Sequence, residues 1–261
     1  MRSGSGKAIA SAILFVSASG AFIALRPVPI PAEQAQAVAA ILPDPFVLPP
    51  LVPLEHPAEV RALYITASIV RSGKMDGIVN LIKDSSGEFA PNAVVIDIQD
   101  DRGRVLIDDR LRSAIRRLRF LRIFPIARLV AFQNDSVAEE KPGWAVHRSD
   151  GSLWRDRGGR HWLDPSNEDA WSYLAGVARA AIDAGFGEIN FDYFRFPSEG
   201  VTSAVYPFWR ENEGREKSGM IVDVAEYLKA ALKAEHPDIG LSVDIFGYTF
   251  MRTADLGIGQ S

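Results

Sequence analysis

The chain contains no cysteine. Disulfides, thiolate metal sites and a cysteine nucleophile are therefore excluded, while the redox state of its compartment is left open. A basic surplus is lacking too: 29 Lys and Arg stand against 33 Asp and Glu, a formal net charge of −4. That balance gives no footprint for nucleic acid as a partner, and the Arg-rich run RLRSAIRRLRFLR (110–122) reads as the wet face of a helix. Neither a GxSxG elbow nor a GxxxxGK[ST] phosphate loop occurs, and His147 and His161 lack the HExxH spacing. Esterase, P-loop NTPase and zinc-peptidase readings lose their support. Asp97, Asp100 and Asp101 lack the alternating spacing and terminal Glu of an EF-hand. The latter two read as caps on the turn into Gly103, and neither a metal nor a cofactor is expected.

What is present is 261 residues, 47% apolar and 24% charged, enough for one large globular domain with a short appendage. The appendage is N-terminal. Arg2 and Lys7 precede a nearly charge-free apolar run, residues 8–25, which marks an export signal. Its length is close to a membrane span, so residues 1–26 read either as a signal peptide or as an uncleaved anchor with the domain outside the cytoplasm. A small-residue pattern, AQA, ends at Ala37 and offers a cleavage site for a secreted or periplasmic form. Residues 27–58 are rich in Pro and Ala and read as a linker or stalk. Residues 59–261 form the domain.

Within the domain, apolar runs at 60–67, 93–100, 124–132, 188–196 and 241–249 alternate with amphipathic stretches near 75–84, 108–121, 168–184 and 219–235. One of those helices is entered through DPSNEDAW, a capping sequence. Strand and helix in strict alternation imply parallel pairing. The fold class is α/β, and polar parity selects between an open doubly wound sheet and a barrel. One parity is aliphatic or aromatic: Leu63, Ile65, Val94, Ile96, Ile98, Ala127, Leu129, Ile189, Phe191, Tyr193, Leu241, Val243 and Ile245. The other carries Tyr64, Thr66, Asp97, Gln99, Arg128, Asn190, Asp192, Ser242 and Asp244. Under helices on both faces such a polar row would be costly to bury. In a TIM-type (β/α)8 barrel it faces the lumen, and its upper members line the mouth where barrel sites are built.

The segments VVIDIQDDRGRV, ARLVAF, LWRDRGGRHWLDPSNEDAW, GFGEINFDYFRFPSEG and SVDIFGYT with GIGQ resemble a bacterial glycoside hydrolase-type domain, formerly a domain of unknown function, related in fold to alpha-amylase-type barrels. The likeness runs from about Val60 to Gln260 and implies a (β/α)8 barrel acting on a carbohydrate. About five βα units are visible, so the barrel is expected to be incomplete: either truncated after the fifth strand or completed by another chain. A glycosidase needs two carboxyl groups. Asp192 and Asp244 occupy comparable inward positions on consecutive strands. By the resemblance Asp192 is the nucleophile and Asp244 the acid; an equal alternative makes Asp244 a charge partner of Arg128.

Asp97 is expected to bind substrate or to tune Asp192 by like-charge repulsion. Arg128, Asn190, Arg195 and Tyr64 are further substrate-binding candidates, with Arg195 read on the strand at the opposite parity. Trp154, Trp162 and Trp209 sit in long loops, and flat aromatic faces suit sugar rings; the alternative is that they close small cores beneath those loops. Two functions follow: an exported hydrolase of a cell-envelope or extracellular polysaccharide, or a noncatalytic carbohydrate-binding scaffold. The sequence leaves oligomeric state open.

Overall fold

The computed structural model describes residues 51, 53–87, 90–198, 204–209, 216–250 and 257–260. The signal or anchor segment and most of the Pro/Ala-rich linker lie outside the described residues. Among the described residues no helix is long and apolar enough to cross a membrane.

The elements run β1 (Ala62–Ile65), α1 (Ala67–Arg71), α2 (Met75–Asp84), β2 (Ala93–Asp97), α3 (Asp109–Phe120), β3 (Phe124–Val130), α4 (Asp135–Glu140), α5 (Glu168–Ala184), β4 (Glu188–Asp192), α6 (Lys217–Lys233) and β5 (Gly240–Val243). All five strands pair in parallel and in chain order. A doubly wound sheet would reverse its strand order partway. Here every step goes the same way, and because crossovers between parallel strands are right-handed, the connecting helices fall on one face. This is the arrangement of part of a TIM-like barrel.

The helices are set by local chemistry. Asp108, Asn134 and Asn167 each accept a hydrogen bond from a backbone N–H of the first turn, at 2.9, 3.0 and 2.8 Å, and so begin α3, α4 and α5. Asn167 lies in the stretch read as a capping sequence. Gly185 ends α5 at φ +106°, and a Cβ there would sit 2.6 Å from Leu51. In the Arg-rich α3, Leu111, Ile115 and Leu118 are buried as the spacing predicts, while Arg110 and Arg117 face solvent and Arg119 lies half-buried with its guanidinium on the Gly185 carbonyl at 2.8 Å.

The helix-covered face of the sheet is the main core: Ile65, Val94, Ile96, Ile98, Ala127, Leu129, Ile189 and Phe191 are at most 3% exposed. The other face carries the polar row. Its lower end is closed by a smaller cluster of Ala93, Phe124 and Ile126, against which Leu54 and Val95 pack. His56 stands edge-on to Phe124, with ring centres 4.9 Å apart.

Strand ends are where sequence and structure part. The apolar runs predict strands of eight or nine residues; β4 stops at Asp192 and β5 at Val243. Tyr193 has φ +50°, a left-handed conformation that ends the extended chain there. Tyr193 therefore leaves the aliphatic parity, and Arg195, read as a strand residue, lies in the loop beyond. Period two continues to hold only while the backbone stays extended.

Candidate active site

Register fixes the height of each side chain on the open face. Asp97 on β2 pairs with Arg128 on β3, and Arg128 with Asn190 on β4, which pairs in turn with Ser242 on β5. Asp192 is one pleat step nearer the C-terminal ends, opposite Val130. Asp244 follows the last residue of β5, yet its N–H still donates to the Phe191 carbonyl at 2.9 Å, so the ladder reaches it.

Arg128 sits between two carboxylates. It donates to Asp97 at 2.8 Å and pairs with Asp192, and all three side chains are 15–20% exposed. Partial burial works against the guanidinium charge. The carboxylates of Asp192 and Asp97 outweigh it and hold Arg128 protonated above the ordinary arginine range. Asp97 also accepts from the Tyr64 hydroxyl at 2.6 Å. Desolvation and that bond to a charged acceptor push the Tyr64 phenol up to about 12. The second oxygen of Asp192 accepts from the Tyr193 N–H at 2.6 Å, a bond made possible by the left-handed turn at Tyr193. Both oxygens of Asp192 are thus held.

Asp244 belongs to a different network and is exposed. Asn190 donates to it at 3.1 Å and also to Ser242 at 3.1 Å. Ser242 donates to Glu188 at 2.6 Å, and Glu188 meets His56 at 2.6 Å. The reading of Asp244 as partner to Arg128 is corrected: Arg128 engages Asp97 and Asp192. The like-charge reading of Asp97 changes as well, because a shared cation stands between the two carboxylates.

A cavity of about 780 Å³ opens at the C-terminal ends of β1 to β3. Asp97, Arg128, Tyr193, Gln133, Asp156 and Arg160 are among its walls. A smaller one of about 270 Å³ lies lower on the same face, lined by Tyr64, Arg128, Glu188, Asn190 and Asp244 with Val95 and Ile126. Asp100 accepts from the N–H groups of Arg102 and Arg104 at 3.0 and 2.9 Å around Gly103, φ +85°, which is the capping role its position suggests. Among the described residues no three His, Asp or Glu side chains gather to hold a metal ion.

The aromatic readings need correction. Trp154 and Trp162 are each 2% exposed, so their faces are already occupied by the protein. Arg195 lies over the Trp162 ring at 5.1 Å and over Phe246 at 5.4 Å, and the Trp162 N–H donates to Asp156 at 2.8 Å. Trp209 is packed edge-on to Phe196 with ring centres 5.2 Å apart. Arg195 bridges the Trp162 ring to Tyr193 and Phe246.

Sequence reading missed Glu188, Ser242's part in the second network, and Asp156. Glu188 shares the parity of Asn190 and Asp192, so the alternation pointed to it. Asp156 reaches the cavity through a loop folded back by isolated antiparallel bridges, Arg155 with His161 and Gln133 with Trp162, for which no strand period exists.

Residues 62–261 match the family described as "Putative glycosyl hydrolase domain". A hypothetical protein from Ruminiclostridium thermocellum is similar at 31% identity and a TM-score of 0.59, the match covering 71% of this chain and 98% of that one. The GH36 alpha-galactosidase AgaA from Geobacillus stearothermophilus shares the fold at 16% identity and a TM-score of 0.50, over 65% of this chain and 25% of the enzyme. The chain thus spans about a quarter of that alpha-galactosidase. No curated protein matches.

Proposed function

Since the chain belongs to this family of glycosyl hydrolase domains, we propose that it is an exported glycosidase that cleaves a cell-envelope or extracellular polysaccharide with two carboxylates. One observation carries the reading. Asp192 stands on the open face at the C-terminal end of β4, with one oxygen on Arg128 and the other on the Tyr193 N–H. A carboxylate held by both oxygens in this way is oriented for attack on, or stabilisation of, an oxocarbenium-like centre.

Asp244, on the next strand, is the second carboxylate and takes the part of acid. Adjacent strands lie roughly 4.8 Å apart, a spacing compatible with the shorter carboxyl separation of retaining enzymes, about 5–5.5 Å. Tyr64, Asp97, Arg128 and Asn190 contribute the polar floor that receives sugar hydroxyls. Export rests on the charged N-terminus and the apolar run of residues 8–25.

The test is hydrolysis of a panel of aryl glycosides and cell-envelope polysaccharides, with product anomers followed by NMR, together with N-terminal sequencing of the protein from fractionated cells. Turnover on one glycoside class by protein located outside the cytoplasm supports the reading. Saturable sugar binding without turnover across the panel would move the conclusion to a carbohydrate-binding scaffold.

A further inference from the structure

The motif GIGQ at residues 257–260 has no place in the chemistry above, yet its side chains are buried: Ile258 is 0% exposed and Gln260 9%. The segment is stitched down at each step. Phe196 N–H donates to the Ile258 carbonyl at 2.8 Å, and Lys217 Nζ donates to the Gly257 carbonyl at 2.9 Å. Gly259 has φ +80° and a Cβ there would come 2.8 Å from the Lys217 carbonyl, so the chain can pass only as glycine.

That close passage delivers Gln260 between the ends of β4 and β5. Its Nε2 donates to the carbonyl of Phe194, two residues past Asp192, at 3.2 Å, and to the carbonyl of Asp244 itself at 3.1 Å. Its Oε1 accepts from the Phe246 N–H at 2.8 Å. The last backbone rung between these strands is the one from Asp244 N–H to Phe191. Beyond it β4 turns away at Tyr193, and the ladder cannot continue.

We propose that Gln260 is a positioning residue that acts as a side-chain rung, replacing the missing backbone ladder and fixing Asp244 relative to Asp192. The residue type fits the task. Two carbonyls and one N–H require a neutral group with two donors and an acceptor, which an amide supplies and a carboxylate does not. Glutamine has the length to reach both strand ends. The inference rests on the reading of Asp192 and Asp244 as the working pair, but the rung itself can be tested without turnover.

The experiment uses the full chain and the variants Q260L and Q260N, with circular dichroism to establish folding. Amide hydrogen exchange at Phe246 is measured first. Protection in the wild type that is lost in Q260L, with the core of β2 and β3 still protected, supports the rung; unchanged protection at Phe246 overturns it. Q260N, one methylene shorter, is expected to lose the same protection and serves if Q260L does not fold. Kinetics then read the consequence. The kcat is expected to fall at least tenfold with KM within twofold, and Q260L added to D244N is expected to cost less than a further twofold. An equal loss in both backgrounds would assign Gln260 to general stability and overturn its positioning role. If the wild type hydrolyses no glycoside while Phe246 loses protection in Q260L, the rung stands and only the hydrolase reading falls.

Discussion

Along β2, Val94 and Ile96 point under the helices and are fully buried, while Val95 and Asp97 between and beyond them point the other way and stay partly exposed. The same alternation repeats on β4, where Ile189 and Phe191 are buried and Asn190 and Asp192 are not. One backbone therefore serves two environments. The covered face excludes water and supplies most of the burial free energy; the open face carries a row of polar and charged groups that meet both solvent and one another. The difference teaches that stability and chemistry are separated by one residue of register, since a slip by one would exchange the two sets.

The sharpest way to break this comparison is on the open face alone. Asp192→Asn keeps side-chain shape and removes the charge, and turnover is expected to fall by about 10³-fold while thermal unfolding moves little. Asp244→Asn is expected to lose more on a polymer than on an activated aryl glycoside, because proton donation matters least when the leaving group departs readily. Steady-state kinetics on both substrates, with calorimetry of each variant, checks the pair. A matched loss of stability in Asp192→Asn would show that the open face also carries the fold.

The converse change is on the covered face. Ile96→Ala is expected to cost about 3 kcal/mol in denaturant unfolding, through lost transfer energy and a residual cavity. Val95→Ala, one residue away on the open face, is expected to cost about 1 kcal/mol, since Val95 is only partly buried against the small lower cluster. Equal costs for the two would refute the division of labour.

The effect of removing the shared cation falls between these two. Arg128→Met leaves Asp97 and Asp192 without their common partner, and is expected to cost about 2 kcal/mol, between the values for exposed and for buried ion pairs because these groups retain solvent contact. Denaturant unfolding of the variant beside the wild type checks this cost. An unchanged unfolding free energy would show that Arg128 does not tie the open face together.

The smallest effect is spectroscopic. Tyr64 has a folded-state value raised to about 12 by desolvation and by its bond to Asp97, above the unfolded value of about 10. Its contribution to stability is therefore complete below pH ~10 and is lost as pH rises through the folded value. In Asp97→Asn the Tyr64 phenolate is expected to appear at lower pH in an ultraviolet titration. A titration indistinguishable from the wild type would show that the bond to Asp97 is not made.

Much of this was legible in the residues themselves. Alternation of aliphatic with polar side chains marks five strands and places Tyr64, Asp97, Arg128, Asn190 and Asp192 on one face. The helix span near 75–84 follows from period and that near 168–184 from period and the Asn167 cap, signals that act within a few residues. Strand ends were less legible: hydrophobic runs continue through Phe194 and Ile245, and nothing in a run announces the backbone turn at Tyr193.

The sequence by itself determined the α/β alternation, the parity of each strand and the presence of a carboxylate row, because these depend on period and on near neighbours in the chain. Only the tertiary structure decided which carboxylate meets which partner. Arg128 could reach toward β2, β4 or β5; register and side-chain direction send it to Asp97 and Asp192, leaving Asp244 to Asn190. Tertiary structure likewise decided that Trp154 and Trp162 are core residues rather than open platforms, and that Gln260 returns from far along the chain to the end of β4. Such pairings are set by packing between segments distant in sequence, where the free energy of a contact depends on a geometry that no local pattern encodes.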